Sequence, residues 1–318
     1  FTFFIFLISG FLFYLLILKR TKNYTISLIS CCFYLLSPRV FGNSFFDGKD
    51  LFFLSLLTIN FYLYSNYCDK KNFNSILILS IFSAFSTSTR IIGLFIPISF
   101  ILIFFLEMIN KNYDKKIIYH TLVYLVLYFL FLFAHWPYLW TIEIGLFNFF
   151  YEFSIAANPI VFFGGDYYTS EYLPLSYIPI WLVISIPEII ILFFILGFSY
   201  YIFRLFKRFS NIKNFTFQND LWRSSREKKD LFIFLCFFQI IVIYLCFNLN
   251  LYGGWRHFLF LSFFITYFSS IGIYIILLKF KNIFYFKKFF FIILSFFIFE
   301  IAYNLFKYHP FQSVYFNN

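Results

Sequence analysis

The sequence is poor in charged residues. Asp, Glu, Lys and Arg make up 12% of its 318 residues, whereas soluble globular domains carry about 25%. Hydrophobic residues make up 62%, and the mean hydropathy is +0.83. This composition excludes a soluble globular protein and indicates an integral membrane protein. A net charge of +11 would suggest nucleic acid as a partner of a soluble chain. Here the basic residues lie in short segments between apolar runs, so we expect no nucleic-acid partner.

The sequence also lacks the cysteine patterns of disulfide frameworks and metal sites. The five cysteines lie in or beside apolar runs, and they form neither a CxxC pair nor a Cys/His ligand spacing. Free cysteine is among the most frequently buried residue types. We therefore interpret all five as small hydrophobic residues. They are Cys31, Cys32, Cys68, Cys236 and Cys246.

What the sequence does contain is a series of apolar runs. A membrane-spanning helix needs about 20 mainly apolar residues. Ten runs come near this length, although the second and fourth are short and are expected to be tilted, re-entrant or half-buried in protein. The sequence therefore predicts an all-α, polytopic membrane helical bundle of about ten transmembrane segments, forming a single domain over residues 1–318. The runs are 2–18, 24–37, 51–67, 75–88, 91–109, 117–135, 177–203, 231–250, 258–279 and 289–306.

The basic residues predict the orientation, because Lys and Arg accumulate in cytoplasmic loops. Twenty of the 25 lie in five segments that alternate along the chain so as to share one face, predicted to be cytoplasmic. The longest, 204–230, is expected to be a loop on anionic lipid, and 136–176 is expected to be a loop on the outer face. Because Phe1 falls on the outer face, we expect one more helix before it. The five segments are 19–23, 68–74, 110–116, 204–230 and 279–288.

The stretch SPRVFGNSFFDGKD, residues 37–50, is unusually polar for this chain. Pro38 and Gly42 are predicted to end one helix, and Asp50 is expected to cap the start of the next. Capping accounts for Asp50 alone. The other polar side chains favour a partly desolvated site with a carboxylate to accept a proton and cations to bind a phosphate. They are Arg39, Asn43, Asp47 and Lys49.

Further charges lie at the ends of later apolar runs. Arg90 lies between two of them, where a charge is costly and is often functional. Two interpretations of Arg90 are open: it forms a phosphate clamp, or it is an interfacial Arg that extends toward water. Arg256 and His257 follow a Gly pair in LYGGWRHFLF, where an interfacial anchor is the alternative to a ligand site. Glu188 and Glu300 are acids in apolar runs with no partner evident from the sequence.

Five stretches resemble, in order, the bacterial branch of glycosyltransferase family 39. That branch is similar to protein O-mannosyltransferases and to the lipid A aminoarabinose transferase, and the resemblance covers most of the chain. The stretches read SPRVFGNSFFDGKDLFFLSLLTINFYLY, TRIIGLFIPISFILIFF, YLPLSYIPIWLVISIPEIIILFF, YGGWRHFLFL and YHPFQSVYFNN.

The resemblance implies the GT-C membrane fold, an active site on the non-cytoplasmic face and a polyprenyl-phosphate sugar donor. Asp50 matches the family's second acid, which lies in an outer loop before a long helix. Arg90 matches a basic residue that implies a role at the donor phosphate. Arg256 matches the Arg of a late outer helix start, with His257 where the family often has Tyr. The family's first helix and first outer loop, with its principal base, would precede Phe1.

These features predict an inverting glycosyltransferase of the bacterial inner membrane, which moves a sugar from polyprenyl phosphate to a glycan, lipid or protein acceptor on the outer face. Asp50 could orient the acceptor, position the donor or bind a divalent metal, and no other cofactor is expected. The alternatives are a transporter or flippase of lipid-linked or anionic solutes, and a structural membrane subunit. Asp50 and Asp47 are the predicted catalytic residues, and the predicted substrate and phosphate ligands are Arg90, Arg256, His257, Arg39, Lys49 and Asn43.

Overall fold

A computed structural model describes residues 1–109, 116–140, 159–210, 225–247, 249–280 and 282–317. Within these residues the chain forms twelve α-helices and one antiparallel hairpin. The helices are α1 Thr2–Thr21, α2 Tyr24–Leu36, α3 Pro38–Phe46, α4 Asp50–Lys70, α5 Phe73–Thr89, α6 Phe95–Ile109, α7 Lys116–His135, α8 Tyr177–Ser185, α9 Glu188–Ser210, α10 Ser225–Cys246, α11 Leu261–Lys279 and α12 Phe284–Lys307. The strands are β1 Ile160–Phe163 and β2 Asp166–Thr169, and 3₁₀ helices occupy Ile91–Leu94, Pro137–Trp140, Arg256–Phe258 and Gln312–Val314.

The architecture is that of an all-α helical membrane protein, as predicted. Seven helices in the described residues are long and apolar enough to cross a membrane, or eight if α2 and α3, bent by 55°, form one span. Helices occupy all ten predicted runs, and the count of ten spans stays a prediction. Helix α4 is not among these seven, because its polar residues lower its hydropathy. Those polar residues are buried inside the bundle. They include Ser55, Thr58, Asn60 and Ser65.

The predicted run 177–203 is broken into α8 and α9. Pro187 lies between them, and proline lacks the N–H that would continue the helical hydrogen bonds. The carbonyls at the end of α8 instead accept hydrogen bonds from Asn317. Its backbone N–H donates to the carbonyl oxygen of Ile184 at 2.7 Å, and its side-chain Nδ2 donates to those of Val183 and Ile186 at 2.8 and 2.7 Å.

The polar stretch 37–50 also differs from expectation. α2 ends before Pro38 as predicted, but Pro38 then begins α3, at a first position where its missing N–H costs nothing. Gly42 lies inside α3, so the prediction that it ends a helix is wrong. A Cβ atom at Gly42 would lie 2.6 Å from the backbone nitrogen of Ser313. Glycine here therefore lets α3 pack directly against the segment that follows α12.

Two predicted loops are partly regular structure. In the predicted outer loop, β1 pairs with β2 through a turn at Gly164 and Gly165, whose φ angles of 66° and 99° suit glycine. Residues 141–158 of that loop lie outside the described residues. In the predicted basic loop, α9 continues to Ser210 and α10 begins at Ser225, leaving 211–224 outside the described residues.

Helices α9 and α11 cross at two glycines. A Cβ atom at Gly197 would overlap the carbonyl of Phe268, and one at Gly272 would overlap the carbonyl of Phe193. Small residues at such a crossing allow two helix backbones to pack in direct contact. The crossing fixes the position of α9, and with it the α8–α9 break, relative to α11. Arg256 lies shortly before α11 in the chain.

One end of the bundle is basic and is joined by ion pairs. Asp69, near the end of α4, accepts from Lys19 at 3.1 Å and from Lys229 at 2.5 Å. Arg20 pairs with the buried Asp230 at 2.7 Å. Three of the basic segments that were predicted to share one face therefore meet at this basic end.

Candidate functional site

A second charged cluster lies at the opposite end of α4. The helix has 21 residues and is about 30 Å long at 1.5 Å per residue. Its first residue, Asp50, is 4% exposed. Its Oδ1 accepts a hydrogen bond from Nη2 of Arg90, and its Oδ2 lies 3.2 Å from Nε of Arg256. The Arg90 side chain is 15% exposed, whereas that of Arg256 is 49% exposed, so the first ion pair is the more shielded from water.

Asp47 holds the backbone turn that presents Asp50. Its Oδ1 accepts from the backbone N–H of Lys49 at 3.1 Å and from that of Asp50 at 2.9 Å. Asp47 therefore caps α4, and the prediction that Asp50 is the cap is wrong, because the side chain of Asp50 turns to the arginines instead. The second oxygen of Asp47, Oδ2, is buried without a hydrogen-bond partner among the described residues.

Arg90 is positioned by the end of α5. Its backbone N–H donates to the carbonyl of Ser86 at 3.0 Å. Gly93 lets the chain fold back across this helix end, since a Cβ there would lie 2.6 Å from the carbonyl carbon of Ser86. From this position Nη1 of Arg90 donates to the carbonyl of His257 at 2.7 Å. Arg90 therefore links α4, α5 and the segment before α11.

His257 is neutral at pH 7. Burial, followed by the charges of Arg90 and Arg256, lowers its pKa to about 4. Its Nδ1 lies 3.5 Å from Nη2 of Arg90, and a guanidinium can only donate. Nδ1 is therefore the acceptor and Nε2 carries the proton. Within the described part of the chain, Nε2 is buried with no partner.

A cavity of about 210 Å³ adjoins this cluster. Nε of Arg39 donates to the carbonyl of Ser313 at 2.9 Å, and the guanidinium lies 4.9 Å from the ring centre of Trp181. Nδ2 of Asn43 donates to the carbonyl of Arg39 at 2.9 Å. The lining residues are Arg39, Asn43, Gly253, Trp255, Arg256, Leu259, Ser313 and Val314.

Two glycines form the turn that leads into Arg256. Gly253 and Gly254 have φ angles of 68° and 69°, a conformation that only glycine adopts without strain. The N–H of Gly254 donates to the hydroxyl of Tyr177 at 3.1 Å. The turn therefore ties the start of α8 to the cavity wall.

Unpartnered N–H groups lie in the cavity wall and in the adjoining charged cluster. Nη1 of Arg39 and Nε1 of Trp255 belong to residues that line the cavity, whereas Nε of Arg90 and Nε2 of His257 belong to the adjoining cluster. All four are buried without an acceptor in the described residues. The eight predicted residues include four cationic and two anionic side chains, which gives a net charge of +2. Buried donors and excess positive charge together favour an anionic ligand.

The structure brings all eight predicted site residues to this end of the bundle. Lys49 is the most peripheral, because its side chain is exposed and its backbone N–H makes the contact to Asp47. Trp255 and Ser313 line the cavity and were not predicted. Ser313 lies 274 positions from Arg39, and no local sequence pattern connects them.

A metal at Asp50 does not fit this geometry, because both carboxylate oxygens already pair with arginines. Nowhere in the described residues do three or more His, Cys, Asp or Glu side chains form a group that could hold a metal ion.

No family model, curated protein or solved structure matches this chain.

Proposed function

We propose that this chain is a glycosyltransferase of the bacterial inner membrane that uses a polyprenyl-phosphate sugar on the outer face. The observation that carries the proposal is the group of arginines and unpartnered N–H donors in one cavity wall and in the charged cluster beside it, at the helix ends. A lipid phosphate fits such a site, because its headgroup lies at the membrane surface while its chain lies along the helices. The basic end of the bundle is then cytoplasmic, and the motifs that resemble glycosyltransferase family 39 support a sugar as the transferred group.

In the proposed reaction, a hydroxyl oxygen of the acceptor attacks the anomeric carbon and inverts it. The bond from that carbon to the phosphate oxygen breaks, and the phosphate leaves with the electron pair. Arg39 and Arg90 bind the phosphate oxygens and stabilise the charge that develops on them. Asp47 takes the hydroxyl proton on Oδ2, its oxygen without a partner. Asp50 positions Arg90 and Arg256.

The first test measures binding of a short-chain polyprenyl phosphate and of the matching polyprenol to the protein in lipid nanodiscs. Arg39→Gln and Arg90→Gln should each weaken phosphate binding by about tenfold or more, because a hydrogen bond to a charged group contributes roughly 1.5–3 kcal/mol. Polyprenol binding should not change. Arg204→Gln is the matched control, since Arg204 pairs with Glu227 at 2.6 Å far from the cavity. Equal affinity of the wild type for phosphate and alcohol contradicts the proposal.

The second test measures sugar transfer in liposomes that contain labelled polyprenyl-phosphate sugar and a membrane extract as acceptor. Transfer should be lost in Asp47→Asn and retained in Arg204→Gln. Movement of the labelled lipid between leaflets without sugar transfer would instead support the transporter or flippase alternative. Transporters place their sites near the bilayer midplane, whereas this cluster lies at helix ends.

A further inference from the structure

A second polar cavity lies at the break between α8 and α9. It has a volume of about 150 Å³, and its lining includes Glu188, Glu300, Asn304, Tyr315 and Asn317. Glu188 is the first residue of α9, Glu300 lies in the last part of α12, and the segment after α12 supplies the tyrosine and Asn317. The fold therefore joins two acids that have no partner evident from the sequence.

Two of the lining side chains are buried but unpartnered. Asn304 is 6% exposed and Tyr315 is 5% exposed. Across the described ranges, neither the Asn304 amide nor the Tyr315 hydroxyl forms a hydrogen bond. Their polar atoms are not among the buried side-chain atoms that lack a partner, so they open onto the cavity, where an ion or water can complete their hydrogen bonds.

Asn317 supplies a third unpartnered oxygen. Its Nδ2 donates to the carbonyls of Val183 and Ile186, which fixes the orientation of the amide. Its Oδ1 is then directed away from those carbonyls, and it is buried with no donor in the part of the chain that the structure describes. The unpartnered atom is an acceptor, in contrast to the N–H donors of Arg39 and Trp255, which line the 210 Å³ cavity.

The charge and chemistry of the cavity favour a cation. Its lining contains two carboxylates and no Lys, Arg or His. Mg²⁺ and Ca²⁺ bind carboxylate, amide and water oxygens, whereas zinc sites use Cys and His more often. At about 30 Å³ per water molecule, the volume admits a cation together with some of its waters.

We propose that Glu188 and Glu300 bind a divalent cation, Mg²⁺ or Ca²⁺, with Asn304 Oδ1 and water as further ligands. Both residues are exposed at the surface of the bundle. The cation ties α9, α12 and the segment after α12 together. That segment also forms one wall of the 210 Å³ cavity lined by Arg39, through Ser313 and Val314. The ring centre of Phe316 lies 5.7 Å from the Arg39 guanidinium. The cation therefore stabilises a wall of the candidate site without taking part in its chemistry.

The test uses the full chain, purified and treated with a chelator, and titrates it with Mn²⁺ followed by electron paramagnetic resonance. Mn²⁺ should bind saturably and be displaced by Mg²⁺ or Ca²⁺. Glu188→Gln and Glu300→Gln should each weaken binding at least about tenfold, since loss of even an outer-shell partner of a metal costs 10- to 100-fold. Glu171→Gln is the matched control, because Glu171 does not line the cavity. No sugar donor is present, so the result is independent of the proposed transferase activity.

Amide hydrogen exchange gives a second readout. The cation should slow exchange over 312–317 in the wild type and in Glu171→Gln, but not in the two cavity variants. Equal Mn²⁺ affinity in cavity and control variants overturns the proposal. The proposal is also overturned if the wild type neither binds the ion nor gains protection from amide exchange at an ion concentration of about 1 mM. This concentration is near the weak limit of affinity for extracellular Ca²⁺ modules. The wild-type measurement remains decisive if a variant folds poorly.

Discussion

Replacing Asp50 by Asn tests the electrostatics of the candidate site. The change keeps the shape of the side chain but removes the negative charge that Arg90 and Arg256 share. Breaking a buried ion pair costs roughly 3–5 kcal/mol, because one charge is left buried without a partner. The Arg90 side chain is only 15% exposed, so most of this cost applies to it. Arg256 is half exposed, and its pair contributes about 1 kcal/mol at most. We expect the free energy of unfolding to fall by about 3 kcal/mol.

The measurement is unfolding by dodecyl sulfate in mixed micelles, followed by tryptophan fluorescence. Asp166→Asn is the control, because Asp166 is exposed on the hairpin and should change stability by less than about 0.5 kcal/mol. The Asp50→Asn change also raises the net charge of the cluster from +2 to +3. Polyprenyl phosphate should therefore stabilise this variant more than the wild type, and polyprenol should not. An Asp50→Asn protein as stable as the Asp166→Asn protein would refute this account of the cluster.

Three further predictions concern pH and glycine. Because the pKa of His257 is about 4 in the folded protein and 6.5 ordinarily, the unfolded chain binds its proton first as the pH falls from about 6.5 to 4. The free energy of unfolding should therefore fall in that range. Between pH 7 and pH 4.5 the fall should be smaller in His257→Gln than in the wild type. Gly254→Ala should cost about 1–2 kcal/mol because of its positive φ, and it should weaken polyprenyl-phosphate binding. Gly197→Ala should cost roughly 1–3 kcal/mol through overlap with Phe268. Gly48→Ala is the control for both, because a Cβ there meets nothing within 4 Å.

The sequence predicted the members of the charged cluster better than their contacts. Arg90 and Arg256 could be singled out because they are absent from the segments that carry most of the basic residues, a property that requires only counting. The capping role of Asp47 depends on a three-residue turn geometry, whereas the sequence favoured Asp50, just before the apolar run, as the cap. Pro187 was visible, but proline is tolerated inside membrane helices, so the break could not be inferred from it.

Contacts between distant segments could not be predicted at all. Ser313 contacts Arg39 across 274 positions, and Glu188 shares a cavity with Glu300 on a different helix. Such proximity results from the packing of whole helices, including the crossing of α9 and α11 at Gly197 and Gly272. The sequence showed the charged residues, whereas the fold determines which of them meet.

The segment after α12 separates two cavities of opposite charge. Ser313 faces the positive cavity, while Tyr315 and Asn317 face the negative one. A phosphate in the first and a cation in the second would each order this same segment, so binding of one should strengthen binding of the other by an equal factor. We therefore expect 1 mM Mg²⁺ to tighten polyprenyl-phosphate binding in the wild type and in Glu171→Gln, but not in Glu300→Gln. If Mg²⁺ changes the affinity for polyprenyl phosphate in none of these three proteins, packing alone already orders the segment. Ser313 and Asn317 are anchored by protein hydrogen bonds without any ion.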